Sequence, residues 1–219
     1  MTVPIRFIKP ADLRSTIRGL AIMSVMFGKK QDSHYWTEPS IACDLGIWRN
    51  SGGSACYFLF APKGAILMGS DPESPMNPKA HAAGSAEYKP WPGVFEEVTK
   101  DLNELVRQNP FGEDFKMEEV TFAIWNTAKG LDWKKGKIDY PKRDTGDPDG
   151  SKALLGQIRE YYDHFEDEME EEYEKKIDPD SLFVIFSGDP LTVEDLKKVK
   201  TDLNVASVRE GLKVIGVIV

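Results

Sequence analysis

The chain is poor in the residues that metal, redox and disulfide chemistry draw on, with two cysteines and three histidines among 219 residues. Cys43 and Cys56 are too few for the disulfide framework of a small secreted domain, and they lack the CxxC spacing of zinc or redox sites. A reducing, cytoplasmic compartment is expected. Net positive charge is absent too: 28 basic residues stand against 36 acidic ones, a formal charge of -8, which argues against binding nucleic acid by neutralising phosphates. Hydrophobic residues at 41% and charged residues at 29% are ordinary globular values, which excludes a largely disordered or membrane-spanning chain. The one stretch resembling an export signal, the apolar run from Gly19 to Phe27, lacks a small-x-small cleavage site and follows a basic region broken by Asp12. A folded helix is expected there instead, with Pro10 in its first turn and Leu13, Ile17, Leu20, Ala21 and Ser24 along one face.

Catalytic signatures are missing as well. There is no Walker loop, no GxGxxG and no HExxH. Gly52-Gly53-Ser54-Ala55-Cys56 begins like a nucleophile elbow, but it has Cys where the last Gly is needed and it lies in a hairpin. Glu160, His164 and Glu168 share a helical face, yet i to i+8 spans about 12 Å, too far for one ion to touch both ends. Asp147-Pro148-Asp149-Gly150 imitates part of an EF-hand loop but would put Gly156 where a bidentate Glu is required. No metal and no cofactor is expected, and the 147–151 segment is read as a turn that caps a helix.

What is present reads as α+β, a single domain over residues 1–219. A β-meander is expected from Ile41 to Trp48, Ala55 to Phe60 and Ala65 to Met68. Centring its first turn on Ser51 and Gly52 pairs Ile47 with Cys56, Leu45 with Phe58 and Cys43 with Phe60. That register makes one face wholly apolar and sets the two cysteines about 13 Å apart on it, as buried thiols. Helices are expected from about Pro92 to Gln108 and from Ser151 to Lys176, with a short one capped by Thr192. Val120 to Trp125, Leu182 to Phe186 and Leu212 to Val219 read as further strands. The result is a mixed or antiparallel sheet with helices packed on one face.

Two long connections, 69–93 and 127–150, join these elements. The first carries Asp71, Glu73 and His81, with Tyr88 and Trp91 as large anchors. A carboxylate pair and a histidine are the groups a hydrolase would use for proton transfer, so this loop is the alternative, enzymatic reading. The second connection is basic in its middle, where Lys129, Lys134, Lys135, Lys137, Lys142 and Arg143 face only Asp132 and Asp139.

The most conspicuous feature is acidic. Glu160, Asp163, Glu166, Asp167, Glu168, Glu170, Glu171, Glu172 and Glu174 crowd one stretch that contains no Lys or Arg, and the rest of the chain carries only +1. Like charges at i and i+4 weaken a helix, so this one must rely on packing of its apolar stripe, Leu154, Leu155, Ile158, Tyr162, Phe165, Met169 and Tyr173. Its charged face suits a basic protein partner. The leading expectation is therefore a cytoplasmic protein-binding module that docks such a partner through Glu160, Asp163, Asp167, Glu168, Glu170, Glu171 and Glu174. Neither nucleic acid nor membrane is an expected partner; a homodimer, with ridge meeting basic connection across a two-fold axis, is a structural alternative.

Trp125, the Trp133 to Gly136 segment, Pro141, and Asp147-Pro148-Asp149-Gly150-Ser151 followed by Leu154 and Leu155 resemble a group of uncharacterised bacterial proteins. The resemblance covers Trp91 to Ile177 and implies no activity for any residue. In size, acidity and α+β character the chain also resembles immunity and accessory proteins of bacterial toxin systems, a likeness of class without a motif match, which implies an immunity-like inhibitor.

Overall fold

The computed structural model describes residues 9–28, 33–81, 89–128, 132–142, 146–163 and 177–218. The backbone of 160–163 is among them, but the side chains of Ala80, His81, Asp114 and 160–163 are not.

Among the described residues, six strands make one sheet in which spatial order follows chain order: β1 (Ser33–Glu38), β2 (Cys43–Arg49), β3 (Ala55–Ala61), β4 (Gly64–Ser70), β5 (Phe122–Thr127) and β6 (Lys134–Lys135). Every pairing is antiparallel. Among the described residues the helices are α1 (Pro10–Phe27), α2 (Pro78–His81), α3 (Lys100–Arg107), α4 (Ser151–Asp163), α5 (Pro179–Phe186), α6 (Val193–Val199) and α7 (Val205–Val214). None is long and apolar enough to cross a membrane.

The meander is where it was expected, but its register differs by one residue: Ile47 faces Tyr57, Leu45 faces Leu59 and Trp48 faces Cys56. The reason lies in the turn. A five-residue loop, 50–54, is closed on itself by the Asn50 side chain, which accepts the Ser54 N–H at 2.9 Å, while the Asn50 N–H donates to the Ser54 carbonyl at 3.1 Å. Because side chains alternate with period two, that slip sends Cys43 and Cys56 to opposite faces of the sheet rather than to one. Both remain buried thiols.

Consequently the sheet is apolar on both faces, not one. Trp48, Cys56, Phe58, Leu67, Phe122 and Ile124 pack under α1, α4, α5, α6 and α7. Leu45, Tyr57, Leu59, Ile66, Met68 and Trp125 pack on the other side against Val94, Val98, α3 and the aromatic pair Phe111 and Phe115. Helices thus cover both faces. The Tyr57 ring meets Phe111 and Phe115 edge-on at centroid distances of 5.4 and 4.9 Å, a favoured aromatic geometry. On the first face, α1 comes close because β2 has Gly46 beneath Ile17: a Cβ there would sit 2.6 Å from the Ile17 Cγ2.

Three elements differ from expectation for identifiable reasons. Helix α3 begins only at Lys100, because residues 92–97 form turns instead of its first two turns. There Glu97 has φ +67° and ion-pairs with Lys137 at 2.6 Å, and Gly136 lets the Gly93 carbonyl approach so closely that a Cβ on Gly136 would lie 2.0 Å from it. Docking of two loops outweighs the helical pattern. Leu182 to Phe186 belongs to a helix, not a strand. Pro179 stands in its first turn, Asp178 accepts the Ser181 N–H, and burial alternates at helical spacing, with Leu182 and Ile185 inside and Phe183 74% exposed. The start of the expected strand Leu212 to Val219 likewise belongs to a helix, α7, and among the described residues a single parallel bridge, Ile218 to Thr192, follows it. Thr192 does cap α6 as expected, in a capping box with Asp195; the Lys198 ammonium and the Thr192 groups hold that carboxyl down to about 2.

Candidate functional site

Helix α4 carries the chain toward the acidic stretch. Its start is fixed twice: Asp147 accepts the N–H groups of Lys152 and Ala153 at 3.1 and 2.8 Å, and Asp149 accepts that of Ser151 at 3.0 Å. The 147–151 segment therefore is the helix-capping turn its residues suggested. Leu154, Leu155 and Ile158 face the core, and Lys152, Ala153, Gln157 and Arg159 face outward. Glu160 and Asp163 lie on the described backbone of α4. Their side chains, and Asp167, Glu168, Glu170, Glu171 and Glu174 entirely, lie outside the described residues, as does the rest of the helix expected to reach Lys176.

Around the cap sits a buried polar node. The Lys135 ammonium, on β6, ion-pairs with Asp149 and donates to the Ser151 hydroxyl at 3.0 Å. Tyr140 donates its hydroxyl to the same carboxylate at 3.3 Å. Burial, reinforced by the negative charge of Asp149, pushes the Tyr140 phenol well above the usual tyrosine range. The node also reaches the first long connection and the sheet: the Ser74 hydroxyl donates to the Pro148 carbonyl at 2.8 Å, and that of Thr121, directly ahead of β5, to the Asp149 carbonyl at 2.8 Å. These bonds fasten the second connection to the sheet.

The loop residues weighed for catalysis sit as follows. Asp71 accepts the Glu73 N–H at 3.0 Å and lies against Gly150; Glu73 is exposed. His81 ends α2, its side chain outside the described residues, as is Tyr88. Trp91 is half-buried against the second core and donates its indole N–H to the Asp139 carbonyl at 2.9 Å, anchoring the loop's end. Of the basic connection, Lys135 is held by Asp149 and Lys137 by Glu97, whereas Lys134 and Lys142 are exposed and Lys129 and Arg143 lie outside the described residues.

A second polar cluster lies where α1 crosses β1 and β2. Asp44, nearly buried, accepts the Thr37 hydroxyl at 2.6 Å and ion-pairs with Arg14, whose Nε donates to the Tyr35 hydroxyl at 3.0 Å. Burial would lower the Arg14 pKa, but Tyr35 and Asp44 outweigh it and hold it up; burial pushes the Tyr35 phenol up. A shallow cleft of about 440 Å³ opens beside the pair, with Cys43, Ala61 and Pro62 on its walls. The Cys43 thiol donates to the Ile41 carbonyl at 3.2 Å and is kept protonated chiefly by burial, so it is a poor nucleophile. Carboxylate, hydroxyl and guanidinium all bond to one another, which suits clamping α1 to the sheet.

No family model, curated protein or solved structure matches this chain.

The Asp44 cluster escaped sequence reasoning, although a signal was there: Asp44 is the one charge within the apolar run from Ile41 to Trp48. A carboxylate on the buried face of a strand requires a partner, and Arg14 is the basic residue on the adjacent face of α1. The Lys135 to Asp149 pair gave no such signal, because it joins two connections whose approach depends on the tertiary fold. Among the described residues, no three His, Cys, Asp or Glu side chains group closely enough to hold a metal ion.

Proposed function

We propose that the chain is a cytoplasmic protein-binding module that docks a basic protein partner through the acidic face of the helix begun by α4, as a toxin-immunity-like inhibitor would. Glu160, Asp163, Asp167, Glu168, Glu170, Glu171 and Glu174 are the contact residues. The observation that carries this reading is the concentration of charge: nine carboxylates without a Lys or Arg between positions 160 and 174, on a chain otherwise close to neutral. Such a field raises the encounter rate with a cationic surface and gives a salt-sensitive complex. Support comes also from α4 itself, whose double cap and buried Leu154, Leu155 and Ile158 fix the start of the chain that leads into the acidic stretch.

The test compares the intact chain with a variant in which Glu168, Glu170, Glu171 and Glu174 are all changed to Gln, both used to capture proteins from the native host. A basic protein retained by the intact chain at about 50 mM salt, released by about 0.5 M salt and not retained by the variant is the expected result. A partner indifferent to both salt and the substitutions, or the lack of any basic partner, overturns the proposal.

A further inference from the structure

The polar cluster where α1 crosses β1 and β2 leaves part of one side chain unused. A guanidinium carries its N–H groups in a planar fork, and two of its edges can each hold a pair of acceptors. On Arg14 the edge formed by Nε and Nη2 is taken: Nε donates to the Tyr35 hydroxyl at 3.0 Å, and Nη2 ion-pairs with Asp44. Both partners are buried, and Asp44 is itself steadied by the Thr37 hydroxyl. The end of the fork, where Nη1 and the other Nη2 hydrogen lie, has no partner among the described residues. It is open to solvent, since the Arg14 side chain is 53% exposed and stands on the wall of the cleft of about 440 Å³. A fork already pinned along one edge gives up little further freedom when it binds along another.

Charge decides what that end can take. Arg14 and Asp44 are the cation and the carboxylate on the cleft, and they cancel. Arg18 lies close enough to act on both, and it donates to the carbonyls of Ile215, Asp189 and Gly216, which leave its charge uncompensated. Glu38 is not on the cleft and accepts instead from the Ser40 hydroxyl. Two guanidinium groups therefore share one carboxylate, and the place favours an anion. Shape adds apolar contact, because Phe60, Pro62 and Ala42 stand on the other walls. Ala42 holds φ +52° without being glycine, and strain of that kind collects at ligand clamps. The volume lies within the range of small-molecule pockets.

We propose that this cleft binds a small organic acid, a planar carboxylate on an apolar body, with both carboxylate oxygens accepting from the Nη1–Nη2 end of Arg14 and the apolar body lying against Phe60 and Pro62. Carboxylate and guanidinium match as two parallel hydrogen bonds. Arg14 then has two tasks, holding α1 to the sheet through one edge and the ligand through the other.

The probes are benzoate, benzamide and inorganic phosphate at one fixed ionic strength. Benzamide keeps the ring and the planar head group but lacks the charge, and phosphate keeps a charge but lacks the apolar body. Binding is followed by calorimetry and by the Arg14 Nε–H signal in a nitrogen-15 correlation spectrum, assigned by its loss in Arg14→Lys. Benzoate is expected to bind saturably with a Kd at or below about 1 mM, at least about tenfold more tightly than either of the others, and to move the Arg14 signal. Arg14→Lys keeps a charge beside Asp44 but offers no fork, and is expected to weaken benzoate at least about tenfold with little effect on benzamide. Urea unfolding checks that this variant is folded. Pro62 is exposed, so Pro62→Trp narrows the cleft without entering the core, and it is expected to weaken benzoate several-fold even should Arg14→Lys fail to fold. Equal binding of benzoate and benzamide overturns the proposal, as does phosphate binding as tightly as benzoate. Benzoate that leaves the Arg14 signal unmoved at saturation, binds folded Arg14→Lys with unchanged affinity, ignores Pro62→Trp, or fails to bind below about 1 mM also overturns it.

Discussion

At the scale of single residues, the Lys135 to Asp149 pair is the most consequential contact among the described ones, because both partners are nearly buried and each has further bonds. Removing one member of such a pair leaves an uncompensated buried charge. Asp149→Ala is expected to destabilise the fold by about 3 kcal/mol, measured by urea unfolding, whereas an exposed pair such as Lys213 with Glu210 is expected to contribute under about 1 kcal/mol. Tyr140 reports on the same node. Its phenol is held above the ordinary value by burial and by Asp149, so the folded protein keeps a proton that the unfolded chain has lost. The sign follows: this contribution is complete below about pH 10, the unfolded value, and stability falls as pH rises above it. Ultraviolet titration is expected to show Tyr140 ionising above about pH 10, and Asp149→Asn to bring it back toward that value. A Tyr140 that titrates at about pH 10, the ordinary tyrosine value, contradicts the geometry.

At the scale of elements, the approach of α1 to the sheet depends on Gly46. Gly46→Ala would place a methyl group 2.6 Å from the Ile17 Cγ2, and because Ile17 is fully buried the helix must move as a body. A loss of about 1–3 kcal/mol is expected by thermal or urea unfolding, and Ile17→Val is expected to recover little, since it retains a methyl in that position. Elements with a local cause were legible in the sequence. Pro10 and an apolar stripe announce α1, Thr192 with Asp195 announces α6, and paired apolar runs around short turns announce β2 to β4. Elements decided by distant partners were not. The apolar run from Leu182 to Phe186 reads equally as strand or helix until Asp178 and Pro179 are weighed as a helix start. Residues 92–97 look helical until Gly136 is known to lie against them. Strand β1 has polar His34 and Thr37 among its six residues and becomes evident only through its ladder with β2. Strand β1 was therefore not legible, whereas the acidic stretch, a matter of composition, was.

At the scale of the whole molecule, the sheet is a partition between two cores, and its central strands belong to both. Cys43 lies in one core and Cys56 in the other, each with its thiol pushed up chiefly by burial. A thiol reagent such as Ellman's is expected to modify neither in the native protein and both at one common rate when global opening limits the reaction. Modification of one thiol well before the other would show that one core opens without its neighbour. No native disulfide joins them, since the sheet stands between. The same layout has a consequence for how the chain is made. Helix α1 is walled in by α5 and α7, and Arg18 donates to the Ile215 carbonyl 197 residues further on. At ordinary translation rates that partner leaves the ribosome about 10–40 s after α1 does. Throughout that interval α1 can lie on β1 and β2 but lacks α5 and α7, so the side chains that those two helices cover stay exposed until the last part of this chain is made.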